Sequence, residues 1–280
     1  MTSDLRAALV ADRGLRLRAA LQAAPLTEGV VVRHPDLHDV HYLNAVLLDA
    51  TAPAAAELDG AGVAAVAERW LGDLGHRHVV FDDAGAGERA AAQLESAGWE
   101  RGRTLLMVFA GDPAAVARDP RAREISEAEV DALQVASLHE QAPETDAASG
   151  LANRLLATHR RLRTTTPARC FGAGDPDAEP VSMCTLFLDP DVQGRRVATI
   201  SDVGTRVAHR RRGLGRAVVC AAVADAGRWG ADLVVVGADA DDWPQLMYSG
   251  SGFAPVGRQV TLTRRVRTQR DGPVSVSGGL

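Results

Sequence analysis

One run of four arginines and two glycines, Arg210-Arg211-Arg212-Gly213-Leu214-Gly215-Arg216, constrains this chain more than any other stretch. A strand-like segment, Val197 to Val203, precedes it, and a helix-like segment, Ala217 to Ala224, follows. A glycine loop that opens a helix presents unpaired N–H groups and the positive end of the helix dipole to one small volume. Such a volume suits phosphate, and glycine lets the ligand approach the backbone closely. The surrounding arginines call for a strongly anionic ligand. A Walker-type loop needs Lys-Ser or Lys-Thr after its last glycine, where Arg216-Ala217 stands instead. A dinucleotide fingerprint needs three glycines early in a βαβ unit. A solvated basic turn stays open as the plain alternative.

A further reading rests on two motifs taken together. Arg210-x-x-Gly213-x-Gly215 resembles the pyrophosphate loop of the GNAT-type N-acetyltransferases, Arg/Gln-x-x-Gly-x-Gly/Ala. Downstream, the buried-strand pattern Asp232 to Val236 leads into Tyr248-Ser249-Gly250-Ser251-Gly252-Phe253, similar to the Tyr-x-x-x-Gly-Phe helix of that superfamily. The family then closes with a hairpin, and Arg258 to Leu262 reads as its closing strand. The likeness spans residues 124–265. It implies an α/β (α+β) fold: a mixed, mostly antiparallel twisted sheet flanked by helices. One departure stands out, because Thr205-Arg206-Val207 lacks the proline usual before the loop.

The resemblance also implies a chemistry, acetyl transfer from acetyl-CoA to a primary amine of a small molecule by direct attack. Arg210, Arg211, Arg212, Gly213, Leu214, Gly215 and Arg216 would hold the diphosphate. Val203, Gly204 and Thr205 would pair with the pantetheine amides, and Asp241 is counted with the cofactor residues. Tyr248 would protonate the leaving sulfur. Asp202 is either the base or a group that orients the arginine loop. His139 and Glu140 fall in the acceptor wall, beside a polar loop, 142–149, made acidic by Glu144 and Asp146. A noncatalytic acyl-CoA-binding or protein-interaction module is the competing class.

Composition narrows the field further. The net charge of −5 argues against a general nucleic-acid binder, which carries a basic face. There is no lysine among the 31 basic residues, so Schiff-base and Walker-lysine chemistry are excluded. That bias fits a GC-rich bacterial genome. Cys170, Cys184 and Cys220 lack paired spacing, which speaks against a disulfide framework or zinc site. His34, His38 and His41 cluster around Pro35 without a metal motif and read as surface or packing histidines. No apolar run approaches the ~20 residues needed to span a bilayer. With no signal pattern at the N-terminus, the chain is expected to be cytoplasmic.

Four parts are expected: a helix (2–24) and an α/β unit within 1–110, a linker over 111–123, the acetyltransferase unit over 124–266, and a tail over 267–280. Within the first part, 53–75 reads as helical, and strand, helix, small-Gly-aromatic, strand repeats the end of the chain. Gly98-Trp99 falls on Gly252-Phe253, and Val80 on Val234. Leu94 stands in the place of Tyr248, and Glu57-Leu58-Asp59-Gly60-Ala61-Gly62 in that of the arginine loop. Acidic groups there repel pyrophosphate. The first unit is therefore a degenerate GNAT-like half, or else an unrelated α/β domain with a chance similarity. Ser126 with Glu129 fits a capping box that starts a helix.

Overall fold

The computed structural model describes residues 1–141 and 146–266, so Glu144 and the expected tail lie outside it. In chain order the elements are α1 (Ser3–Ala19), β1 (Gln22–Pro25), β2 (Gly29–Arg33), β3 (Ala45–Leu48), α2 (Pro53–Ala56), α3 (Gly60–Leu71), β4 (His76–Phe81), α4 (Ala84–Leu94) and β5 (Glu100–Phe109). There follow β6 (Ala122–Ile125), α5 (Glu127–Gln141), α6 (Asp146–Thr165), β7 (Ala168–Ala173), β8 (Ser182–Val192), β9 (Arg195–Thr205), α7 (Leu214–Trp229), β10 (Leu233–Asp239), α8 (Pro244–Gly250) and β11 (Phe253–Arg265).

The strands form one open, mixed sheet in the order β1-β2-β3-β4-β11-β5-β10-β9-β8-β7-β6. Both faces are covered, which is why β4 is buried along its whole length. Alternate residues of each strand point to opposite faces. Val79, Phe81, Val260 and Leu262 meet α3 and α4 on one face, and Ile200, Val234 and Val236 meet α7 there. On the other face, Ala7, Ala8 and Ala11 of α1 lie on Leu106, Val108, Val197 and Val235. Leu15 and Ala19 of α1 then join Leu155 and Leu162 of α6 and Phe187 of β8. At the start of α5 the Glu129 carboxylate accepts from Ser126 N–H (2.8 Å) and Glu129 N–H donates to Ser126 Oγ (3.3 Å), the reciprocal box the sequence spells.

Among the described residues only β3–β4 and β9–β10 run parallel. Each such pair ends a run of strands in its own segment, and the strands between them are exchanged. β5 of the first segment lies against β10 of the second, while β11 of the second lies against β4 of the first. β5 and β11 pair with each other at the centre. Among the described residues the expected terminal hairpin is absent: after α8 the chain makes one long strand, with a register shift between Pro255 and Gly257. A hairpin partner is unnecessary because β5 fills that place.

Other differences have local causes. The helix expected over 2–24 stops at Ala19, where Ala20 turns extended and the chain enters β1. The 53–75 stretch breaks at Glu57-Leu58-Asp59, because Asp59 caps a new helix by accepting from Gly62 N–H at 2.8 Å. Residues 111–123 are held to the second segment. A Cβ on Gly227 of α7 would meet Ala114 N at 2.5 Å, so the backbones there touch. Arg118 joins Arg169 and Arg228 around the fully buried Asp225 carboxylate.

Candidate active site

Strands β9 and β10 pair only from Val197–Leu233 to Ile200–Val236. Beyond that point both continue, but apart. Gly237, Ala238 and Asp239 remain paired with β5, as Val235 and Val236 are, and Gly204 and Thr205 stay on β8. A wedge opens between them. The edge of β9 that faces it, Ser201 to Thr205, has no strand partner, which leaves Val203, Gly204 and Thr205 along the wedge.

The arginine loop lies where β9 leads into α7. Arg211 (φ 62°) and Gly213 (φ 78°) both adopt the left-handed conformation, which curls successive backbone amides around one concavity. Gly213 is the N-cap of α7 and supplies no side chain. The first helical bond, from Ala217 N–H to the Gly213 carbonyl, leaves the amides of Leu214, Gly215 and Arg216 unpaired. A Cβ on Gly215 would come within 3.2 Å of Met247 Sδ and 3.5 Å of Thr205 Oγ1, so the helix start sits tight against α8 and β9. Arg210, Arg211, Arg212 and Arg216 are exposed, and among the described residues none of them forms an ion pair. The loop is braced from outside: Arg121 donates to the Arg212 carbonyl at 3.0 Å, and Arg210 Nε to that of Thr205 at 3.1 Å.

Tyr248 on α8 is 5% exposed and packs edge-on to Phe253, 6.0 Å between centroids. Burial pushes its phenol well above the usual tyrosine range, so it holds its proton at neutral pH. Gly252 has φ 96°, and a Cβ there would meet the Phe109 ring at 2.8 Å, so glycine is needed for this turn.

Asp202 sits at a bulge. Met183 pairs with Gly204 and Thr185 with Ser201, so Asp202 and Val203 together oppose Cys184. Asp202 takes φ 55°, a conformation aspartate tolerates better than most residues. The bulge brings its carboxylate to α6, with Oδ2 3.8 Å from His159 Nδ1. Among the described residues it pairs with no arginine of the loop.

Residues 128–248 match the model of the acetyltransferase (GNAT) family. That stretch of the chain resembles a GNAT acetyltransferase domain. None of the curated proteins matches the chain. Among solved structures it is similar to a functionally unknown conserved protein from Staphylococcus epidermidis (15% identity, TM-score 0.64, 87% of this chain and 93% of that one). A GCN5-related N-acetyltransferase from Kribbella flavida aligns at 19% identity and TM-score 0.55, over 94% and 96% of the two chains. A tandem GNAT protein from the clavulanic acid biosynthesis pathway aligns at 18% and 0.50, over 82% and 76%. At such identities the likeness is one of fold.

The residues expected to line an acceptor wall are placed differently from the simple reading of the sequence. Both oxygens of Glu140 are engaged, one by Arg206 Nε at 2.5 Å and the other by Val207 N–H at 3.1 Å. These hydrogen bonds, led by that from Arg206, lower its pKa and tie α5 to the segment that enters the arginine loop. His139 lies on a shallow groove of about 510 Å³ between α5 and α6, with Asp131 and Arg160. Asp241 is exposed at the end of β10, 3.8 Å from Arg103 of β5.

His159 and Tyr42 were not singled out from the sequence, although each carried a signal. Leu155, His159 and Leu162 fall at i, i+4 and i+7, so the histidine interrupts an apolar helix stripe. Tyr42 is the other tyrosine of a chain with two. It packs in the cluster that holds Leu155 and Leu162, and burial, followed by the Asp202 charge, raises its phenol. The segment carrying Tyr42 lies between β2 and β3, so the first segment of the chain reaches the neighbourhood of Asp202 in the second.

The other parallel pair, β3 with β4, encloses no comparable wedge among the described residues. Between the ends of β3 and β4 remains a cavity of about 10 Å³, lined by Leu48, Phe81, Ala55 and Ala86 among others. The start of α3 is already occupied by protein: Gly62 N–H donates to Asp59 and Gly60 N–H to Gln93 Oε1 at 2.6 Å. Leu94 is buried at the end of α4.

Proposed function

We propose that the protein is an acetyl-CoA-dependent N-acetyltransferase for a primary amine of a small molecule, with one working cleft in residues 124–266. One observation carries the reading: unpaired amides of α7 lie in one loop with four arginines that form no ion pair among the described residues, where β9 leads away from the β9–β10 wedge. That donor set fits a diphosphate, whose charges need several cations and backbone N–H groups at once. The first segment is a degenerate copy in this reading. Its equivalent cavity has room for about one water, and its helix start accepts a carboxylate of its own chain.

Acetyl-CoA supplies the activated acyl group as a thioester. The loop and the free edge of β9 fix its position, and alignment of two reactants can supply roughly 7–11 kcal/mol of the barrier reduction. Tyr248, kept protonated by burial, donates to the departing sulfur. Asp202, 3.8 Å from His159 of α6, supplies a negative charge to the acceptor side in this reading.

Isothermal titration with acetyl-CoA, paired with release of the CoA thiol over a panel of amines, tests this. Binding with turnover on at least one amine supports it. Binding with no turnover on any amine favours a noncatalytic acyl-CoA sensor, and no binding to folded protein overturns the assignment.

A further inference from the structure

The His159 ring is held in an unusual way for a surface-helix histidine. It sits on the apolar stripe of α6 between Leu155 and Leu162, which pack against Leu37, Leu43 and Tyr42 of the first segment. Its Nδ1 is buried and has no hydrogen-bond partner. The carboxylate within 4 Å of that nitrogen is Asp202's, at 3.8 Å, too far for a direct hydrogen bond in this state. Asp202 itself is turned towards α6 by a bulge and a left-handed backbone. A buried ring nitrogen facing a carboxylate favours the tautomer with the proton on that nitrogen, which leaves the other as a free lone pair. Nε2 has no partner among the described residues.

We propose that His159 Nε2 takes the proton from the acceptor amine, with Asp202 holding the Nδ1–H tautomer and Tyr42 of the first segment closing the cluster behind the ring. The inference rests on the acetyltransferase reading above. As the amine nitrogen bonds to the acyl carbon and the carbon–sulfur bond breaks, the amine proton passes to Nε2 and the Tyr248 proton to the sulfur. Solvent then returns the imidazolium proton to the tyrosinate, so amine and thioester become amide and thiol with nothing left over. Asp202 is a positioning residue in this scheme. Among the described residues the charged and titratable neighbours include Asp202 on β9, Tyr42 between β2 and β3, and Arg16 on α1, which acts on Tyr42 and pairs with Asp12 at 2.9 Å, together with Cys170 on β7 and Cys184 on β8, whose thiols are raised by burial first and by the Asp202 charge in smaller part.

Two readouts test it. The first uses ¹⁵N-histidine-labelled protein without ligand, His159 being assigned by loss of its signals in His159→Gln. The wild type is expected to show protonated Nδ1 and lone-pair Nε2, and Asp202→Asn to populate the other tautomer. Protonated Nε2 in the wild type, or the same tautomer in both proteins, overturns the pairing. The second is the pH dependence of kcat. His159→Gln should lose about 100-fold near neutral pH, consistent with general-base catalysis. That deficit should narrow at alkaline pH, where hydroxide takes the proton from the attacking nitrogen instead, with acetyl-CoA affinity unchanged. A deficit constant with pH overturns the catalytic role. Should the wild type acetylate no amine, the acetyltransferase reading and this role fall together, while the tautomer still decides whether Asp202 and His159 form a pair.

Discussion

The ring of Phe109, at the end of β5, meets that of Phe253, at the start of β11, edge-on with 5.5 Å between centroids. Phe253 in turn packs against Tyr248. The tyrosine assigned to proton donation is thus supported through one intermediate ring by a residue of the other segment, more than 130 positions away in the sequence.

Phe109→Ala should lower stability by about 3–5 kcal/mol if the site cannot collapse, and less if it relaxes. Thermal unfolding gives the size of the loss. The same variant should lose turnover beyond its loss of folded protein, since Tyr248 loses its backing. A kcat equal to wild type in the folded fraction would show that the aromatic stack does not position the tyrosine.

Removing the phenol oxygen alone is a cleaner change. Tyr248→Phe should reduce kcat by about 100-fold and leave acetyl-CoA affinity within a factor of two, because general acid catalysis contributes roughly 10²–10⁴-fold. The sign of the pH effect follows from the raised phenol. Burial favours the neutral form, so the group stays protonated as pH rises through the ordinary tyrosine range near 10. Wild-type turnover should show no loss assignable to Tyr248 between pH 7 and about 9.5.

The arginine loop predicts a salt effect. Arg210→Ala with Arg212→Ala should weaken acetyl-CoA binding by about 10-fold or more, as charge-assisted hydrogen bonds contribute roughly 1.5–3 kcal/mol each. Titrations at two ionic strengths should show the wild type losing affinity more steeply with salt than the variant. Equal slopes would place the diphosphate elsewhere.

The box at α5 makes a prediction about acid stability. Hydrogen bonds from Arg123 and Ser126 hold the Glu129 pKa down, to about 2. A depressed folded value means that the contribution is present above the unfolded pKa near 4.3 and is lost as pH falls towards 2. Ser126→Ala should cost about 1 kcal/mol at neutral pH. Urea midpoints for Glu129→Gln and wild type should converge between pH 4 and pH 2.

The second segment was largely legible in the sequence because its signals are local. Ala168 to Ala173 is bounded by turn residues, Ser126 and Glu129 announce a helix start, and Gly213 can adopt the left-handed N-cap with little strain. What stayed hidden depends on contacts between distant parts. β3 is four buried residues with no period to read, and it exists because β2 and β4 flank it. Glu140 looked like a free acceptor group until α5 brought it to Arg206. The bulge at Asp202, which turns the carboxylate to His159, leaves no mark in composition or spacing.

The exchanged central strands carry a consequence for how such a chain can be cut. Severing it between Phe109 and Ala122 gives two pieces, neither of which retains its own neighbours: β10 forfeits β5, and β4 forfeits β11. Each fragment would expose a naked central edge and should recover only by meeting its counterpart, so co-expressed halves are expected to copurify and lone ones to aggregate.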